Sequence, residues 1–166
     1  MINLGKIRYL GISSGSGFLN YKTKLDLNKI IELSSSVLKS DRFKFLQVPY
    51  NLIMPDHLTK KTQLNLEKKT NCSLMYLAAK KGIDVITNAP LQHGKLVSTN
   101  YPDELKKMFK NSKTNVDLSL KFSLSNPGSN STLIGVTNKL HLDEIISILR
   151  TPLISLDDYS TILGAK

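Results

Sequence analysis

Ser13 and Ser14, followed by Gly15, Ser16 and Gly17, close the stretch GKIRYLGISSGSG. Within it Ile7, Tyr9, Gly11 and Ser13 alternate with Arg8, Leu10 and Ile12, which predicts a β-strand running into a loop of small residues. Such a loop suits a ligand, because backbone N–H groups there can approach a phosphate or a sugar closely. The arrangement recurs along the chain. Gln47 lies near the end of FKFLQVPY (43–50), Asn88 closes DVITN (84–88) ahead of Pro90, Leu91 and Gly94, and Thr137 and Asn138 follow TLIGV (132–136). In parallel α/β folds, ligands bind at the C-terminal ends of the strands. No residue is assigned to a metal. The lone Cys72 has no partner for an intramolecular disulfide, which fits a reducing compartment, and it is read as a small buried hydrophobe within a helix.

The elements that position these residues alternate. NKIIELSSSVLK (28–39) sets Ile30, Ile31, Leu33, Val37 and Leu38 near one face of a helix. A helix is expected from about Leu66 to Lys81, with Leu74, Leu77 and Ala78 inward and Gly82 as its stop. A long helical region is expected from Asp103 to Leu124, broken near 111–113. Its second part, VDLSLKFSL, alternates strictly, so periodicity alone predicts a strand there. SNPGSNS (125–131) is a turn, and a last helix is expected over Leu140–Leu149 with Asn138 as N-cap. The order is β-α four times over, which implies four parallel strands with right-handed crossovers.

At 166 residues and 40% hydrophobic, the chain is expected to form a single domain, 1–166, with one core. No apolar run approaches the roughly 18–20 residues that span a bilayer, and the N-terminus lacks signal-peptide patterning, so the expected location is cytoplasmic. The net charge of +10 raises nucleic-acid binding, but only Arg8, Arg42 and Arg150 are arginine. The lysines are scattered in pairs such as Lys60-Lys61, Lys68-Lys69, Lys80-Lys81 and Lys106-Lys107, without interleaved aromatics, as solvated helix faces would be. Nucleic-acid and membrane partners are therefore not expected.

Taken together, GKIRYLGISS, FLQVPYNL, KKGIDVITNAPLQHGKL and SLKFSLSNPGSNSTLIGVTNKLHLDEI, in this order and spacing, resemble the C-terminal half of the aldo/keto reductases. The resemblance runs from about Gly5 to Leu149. It implies half of a TIM-type (β/α)8 barrel, with NADP or NAD held at the strand ends and no Gly-rich Rossmann fingerprint. It also implies that VDLSLKFSL is helix. Residue by residue, the family's carboxamide-binding Ser-Asn pair falls on Ser13 and Ser14, so only the serine matches. Gln47 matches a glutamine that also contacts the carboxamide. Asn88 stands where many members stack an aromatic ring on the nicotinamide. Pro90, Leu91 and Gly94 match the following loop. Thr137 and Asn138 replace the Lys or Arg that pairs with an adenosine 2′-phosphate, His141 replaces a frequent arginine, Glu144 matches an acidic adenine contact, and Ile145 replaces an asparagine. Selectivity for NADP over NAD is not implied. His57 and His93 match no catalytic position.

The same resemblance implies chemistry that this half does not supply. In that family a tyrosine protonates the carbonyl, with a lysine, an aspartate and a histidine beside it, because unperturbed tyrosine has a pKa near 10. All four belong to the first four βα units, so no catalytic residue is assigned here. The expectation is an oxidoreductase fragment that reduces an aldehyde or ketone with NAD(P)H only when an N-terminal half, separately encoded, complements it. Self-association is the other way to close the barrel. The rival expectation is a non-enzymatic half-barrel remnant that binds a nucleotide or a protein.

Overall fold

The computed structural model describes residues 5–20, 24–109 and 112–164. In chain order the elements are β1 (Leu10–Ser13), α1 (Leu27–Leu38), β2 (Phe43–Pro49), α2 (Asp56–Thr59), β3 (Gln63–Asn65), β4 (Thr70–Cys72), α3 (Leu74–Lys80), β5 (Asp84–Asn88), a 3-10 turn (Lys95–Ser98), α4 (Asp103–Met108), α5 (Asn115–Leu124), β6 (Ser131–Thr132), α6 (Lys139–Leu149) and α7 (Leu156–Ile162). Four parallel strands form one sheet in the order β1-β2-β5-β6, as the α/β reading expects, and β3 pairs antiparallel with β4 in a separate sheet. No described helix is long and apolar enough to cross a membrane. The residues group into two compact units, one of Met1–Pro49, Asp56–Ile86 and Gly128–Asn130, the other of Tyr50–Pro55, Thr87–Pro127 and Ser131–Lys166.

In the first unit β1 and β2 run in register from Gly11 opposite Phe45 to Ser13 opposite Gln47. A Cβ at Gly11 would lie 2.6 Å from the Phe45 carbonyl oxygen, so only glycine lets the two strands approach here. The α1 helix starts at Asp26, whose carboxylate accepts the Asn28 and Lys29 N–H groups. Its packing face differs from the expected one. Leu27 is fully buried and Ile31, Ser34 and Leu38 follow it on one stripe, whereas Leu33 and Val37 are 65% and 70% exposed on the flank. Gln63 locks the helix start to the core, accepting from the Leu27 N–H at 3.0 Å and donating to the Leu25 carbonyl at 3.1 Å.

The expected single helix from Leu66 to Lys81 is replaced by the β3–β4 hairpin and a shorter α3. Asn65 Oδ1 accepts the N–H groups of Glu67 and Lys68, and Lys69 adopts a left-handed φ of 50°, so local side-chain bonding outcompetes helix formation. Helix begins only after Ser73 caps it through the Tyr76 N–H. Cys72 therefore lies in β4 rather than in a helix; it is buried, and burial pushes its thiol pKa up. Lys68-Lys69 sit at the hairpin turn instead of on a helix face. The inward placement of Leu74, Leu77 and Ala78 is as expected, and Gly82 takes φ 63° directly after α3.

In the second unit VDLSLKFSL is helical, as the resemblance implied and the alternation denied. From Asp117 to Ser123 every residue of α5 is buried, and a helix enclosed on all sides need not show a 3.6-residue stripe. The expected break falls partly on Asn111, which lies outside the described residues; α4 ends at Met108 and Thr114 caps α5 through the Asp117 N–H. The fourth strand is shorter than expected. Only Ser131–Thr132 is strand, although Leu133 N–H still donates to the Thr87 carbonyl at 2.7 Å; Leu133, Gly135 and Val136 are exposed at the last strand of the order. Asn138 caps α6 as expected, accepting the His141 N–H. The α7 helix is an addition that the sequence reading lacks. Its Tyr159 is buried against Phe122, which stacks in turn on Tyr50 with ring centroids 4.9 and 5.5 Å apart, and the two tyrosine hydroxyls hydrogen-bond to each other.

Candidate functional site at the strand ends

The two units carry separate parts of the sequence-derived residue set. In the first unit Ser13 and Gln47 face each other across the β1–β2 register, and the Ser14 N–H donates to the Gln47 carbonyl at 3.0 Å. Parallel pairing thus brings together two residues that are 34 positions apart. Ser13 is exposed and Gln47 half-buried, and the Gln47 carboxamide has no hydrogen-bond partner among the described residues. It is free to pair with another amide. Ser14 is engaged differently: its Oγ accepts the Gly17 N–H at 3.1 Å and so shapes the loop. A Cβ at Gly17 would lie 2.6 Å from that Oγ and 2.8 Å from Leu25 Cδ1, so a larger residue there would displace the Ser14 hydroxyl or the Leu25 side chain.

His57, on α2, is 1% exposed, and its Nε2–H donates to the Gly15 carbonyl at 3.1 Å. Burial lowers its pKa below the ordinary value, against the opposing pull of the Gly15 hydrogen bond and the Asp56 charge. A base whose pKa falls on folding is protonated more readily in the unfolded chain, so stability rises with pH across the window. Its contribution is complete above the unfolded value near 6.5 and is lost as pH falls through the folded one. Urea unfolding of the first unit should therefore show a lower midpoint at pH 5.5 than at pH 7.5, and His57→Gln should flatten that difference. An unchanged difference in the variant would assign it to other groups.

In the second unit the Asn88 carbonyl accepts the Tyr50 N–H at 3.0 Å, while Asn88 Oδ1 is buried without a hydrogen-bond partner among the described residues. An orphaned buried acceptor of this kind calls for a donor. The loop beyond it is conformationally unusual. Ala89, Gln92, His93 and Gly94 all take left-handed φ values between 46° and 87°, and Asn51 braces the loop by donating to the Ala89 carbonyl at 2.9 Å. Pro90 is buried, and Leu91 packs against Leu120, Ile145 and Ile148, so both shape the loop from within.

Further along, Thr137 is exposed, and Asn138 is committed to capping, its Oδ1 on the His141 N–H at 2.9 Å and its Nδ2 beside His141 Nδ1 at 3.2 Å. Glu144 accepts from Thr114 Oγ1 at 3.2 Å. Positions 137 and 138 carry no cation; Lys139, exposed at the first position of α6, is the next residue in sequence. Sequence reasoning missed His57 and the left-handed run at 89–94. For His57 there was no local signal, since its role comes from packing against a loop 42 residues earlier.

A parallel α/β sheet whose strands end in polar, glycine- and proline-rich loops is a ligand-binding fold of the barrel or doubly wound type. The aldo/keto reductase family model matches residues 1–165, and the chain belongs to that family. Among solved structures it is similar to the holo form of an aldo-keto reductase from Bacillus halodurans, with 16% identity and a TM-score of 0.59 over 99% of this chain and 52% of that one. It is also similar to a thermostable aldo-keto reductase in complex with the inhibitor epalrestat, with 18% identity, a TM-score of 0.60, and 99% and 51% coverage. The chain thus spans about half the length of the solved structures it matches, and its sheet corresponds to part of a TIM barrel. No curated protein matches it.

Members of this family use a nicotinamide cofactor. The first unit by itself fits one in part, with a carboxamide at Gln47 that has no hydrogen-bond partner among the described residues beside an exposed Ser13. The side chains of Asn138 and Glu144, by contrast, are already engaged within the protein. Among the described residues no group of His, Cys, Asp and Glu is arranged to hold a metal ion. Burial raises the pKa of Tyr50, Tyr101 and Tyr159, opposite to the shift that a proton-donating tyrosine needs.

Proposed function

We propose that this chain is the C-terminal, cofactor-side half of an aldo/keto-reductase barrel, acting in NAD(P)H-dependent reduction of an aldehyde or ketone when an N-terminal half complements it. The observation that supports this best is the pairing of Ser13 with Gln47 across β1 and β2, which sets a hydroxyl and a free carboxamide at one end of the sheet. There they would hold a nicotinamide carboxamide. When bound, the cofactor supplies the hydride. This chain's residues hold and orient it, while the tyrosine, lysine, aspartate and histidine that handle the carbonyl and its proton come from the partner half.

Direct titration tests the cofactor part. NADH and NADPH should both bind, and to similar extents, because positions 137 and 138 offer no Lys or Arg to a 2′-phosphate. Gln47→Ala should weaken both about 5- to 20-fold, on the scale of one or two hydrogen bonds. A Gln47→Ala variant that binds like the wild type would remove Gln47 from the site. A non-enzymatic half-barrel is the second reading, favoured by Asn88 in place of a stacking ring and by the commitment of Ser14 to its own loop. It predicts binding without turnover whatever half is added.

A further inference from the structure

The loop that follows β1 is held mainly by bonds from its neighbours in the chain and the sheet, and one bond comes from elsewhere. Ser14 N–H bonds the Gln47 carbonyl, Ser14 Oγ accepts the Gly17 N–H, and the Ser16 and Gly17 carbonyls accept the N–H groups of Leu19, Asn20 and Leu25. The remaining bond is from a side chain of another element. His57 reaches from α2 to the Gly15 carbonyl at 3.1 Å. A carbonyl only accepts, so Nε2 must carry the hydrogen, and the neutral ring then has a bare Nδ1. That Nδ1 is buried and lacks a hydrogen-bond partner among the described residues. An imidazole enclosed to 1% exposure with half of its bonding capacity unmet is costly as mere filler, since an apolar residue of similar size would avoid the loss. Its one hydrogen bond lands on Gly15, and the N–H groups of Gly15 and its neighbour Ser16 have no partner among the described residues, while both residues are exposed.

We infer that His57 is a positioning residue: its Nε2–H···O=C bond to Gly15 holds the Ser14–Gly17 loop so that Ser13 and the N–H groups of Gly15 and Ser16 stay presented to a nicotinamide cofactor. The ligand named here rests on the reading under Proposed function; the clamp itself rests only on the geometry. Two substitutions separate position from polarity. Glutamine places an amide donor near the site of Nε2, whereas asparagine places one near Nδ1 and falls short of Gly15.

The test measures hydrogen exchange of the Ser14 and Gly17 amides, the two in the loop that are hydrogen-bonded, in the full chain, together with NADH affinity, for wild type, His57→Gln and His57→Asn. In His57→Asn these two amides should exchange about 5- to 10-fold faster, the scale of one lost hydrogen bond, with NADH weakened by a similar factor. His57→Gln should stay within about twofold of wild type in both. Exchange across β2 and α3 should be unchanged in both variants, which shows the unit intact. Equal loop exchange in wild type and His57→Asn, or equal loss in both variants, overturns the clamp. If His57→Asn loosens the loop but wild type binds no NADH, the clamp stands and the cofactor reading falls.

Discussion

Tyr159→Ala should destabilise the second unit by about 3–5 kcal/mol, the range for removing a fully buried aromatic side chain. Tyr159 is 2% exposed, lies on the short α7, and is the only residue of that helix that is buried. It completes the stack on Phe122 and Tyr50, and its hydroxyl bonds that of Tyr50. Truncation therefore removes aromatic area and also strands the Tyr50 hydroxyl, which is itself fully buried. Tyr159→Phe keeps the ring and loses only the bond, so it should cost about 1–3 kcal/mol. Because burial keeps both phenols neutral through the ordinary pH range, neither effect should vary between pH 6 and 9. Chemical unfolding followed by the near-ultraviolet tyrosine signal is the measurement, in a chain that has no tryptophan. A loss below about 1 kcal/mol for Tyr159→Ala would mean that α7 is not docked through this stack.

Lys121→Met should cost a comparable amount, about 3–5 kcal/mol, for an electrostatic reason. Lys121 and Asp117 lie one turn apart on α5, 2.9 Å from each other, with side chains 3% and 9% exposed. Exposed ion pairs such as Lys60–Asp56 contribute little, but a buried carboxylate that loses its countercharge retains its full desolvation cost. Asp117 Oδ2 keeps only the Lys113 N–H at 3.0 Å. The double substitution Lys121→Met with Asp117→Leu removes both charges and should recover most of the loss. Thermal unfolding of the two single variants and the double variant closes the cycle. Equal stability of wild type and Lys121→Met would show that the pair is not buried as a pair.

Much of the strand framework was legible because it rests on local pattern. DVITN is a strand end to end, FKFLQVP is another, and Asn138 caps its helix where its side chain requires. The failures have local causes too. Asn65 and Lys69 turned an expected helix into a hairpin through an Asx-type bond and a left-handed residue, and α5, enclosed on every side, carried no helical stripe to read. For the site, the pairing of Ser13 with Gln47 followed from parallel strands, but the engagement of Ser14, Asn138 and Glu144 did not, since hydroxyl, amide and carboxylate side chains choose partners only in three dimensions. His57 was invisible for the same reason.

The most direct test of the account mixes this chain with the first four βα units of an aldo/keto reductase, carrying that enzyme's tyrosine, lysine, aspartate and histidine, and follows NADH and NADPH oxidation with an aldehyde substrate. The account predicts turnover from the mixture, none from either half alone, and a lower rate when Gln47→Ala replaces the wild-type chain. A complex of the two halves that binds cofactor yet shows no oxidation above background would contradict it and leave the non-enzymatic half-barrel.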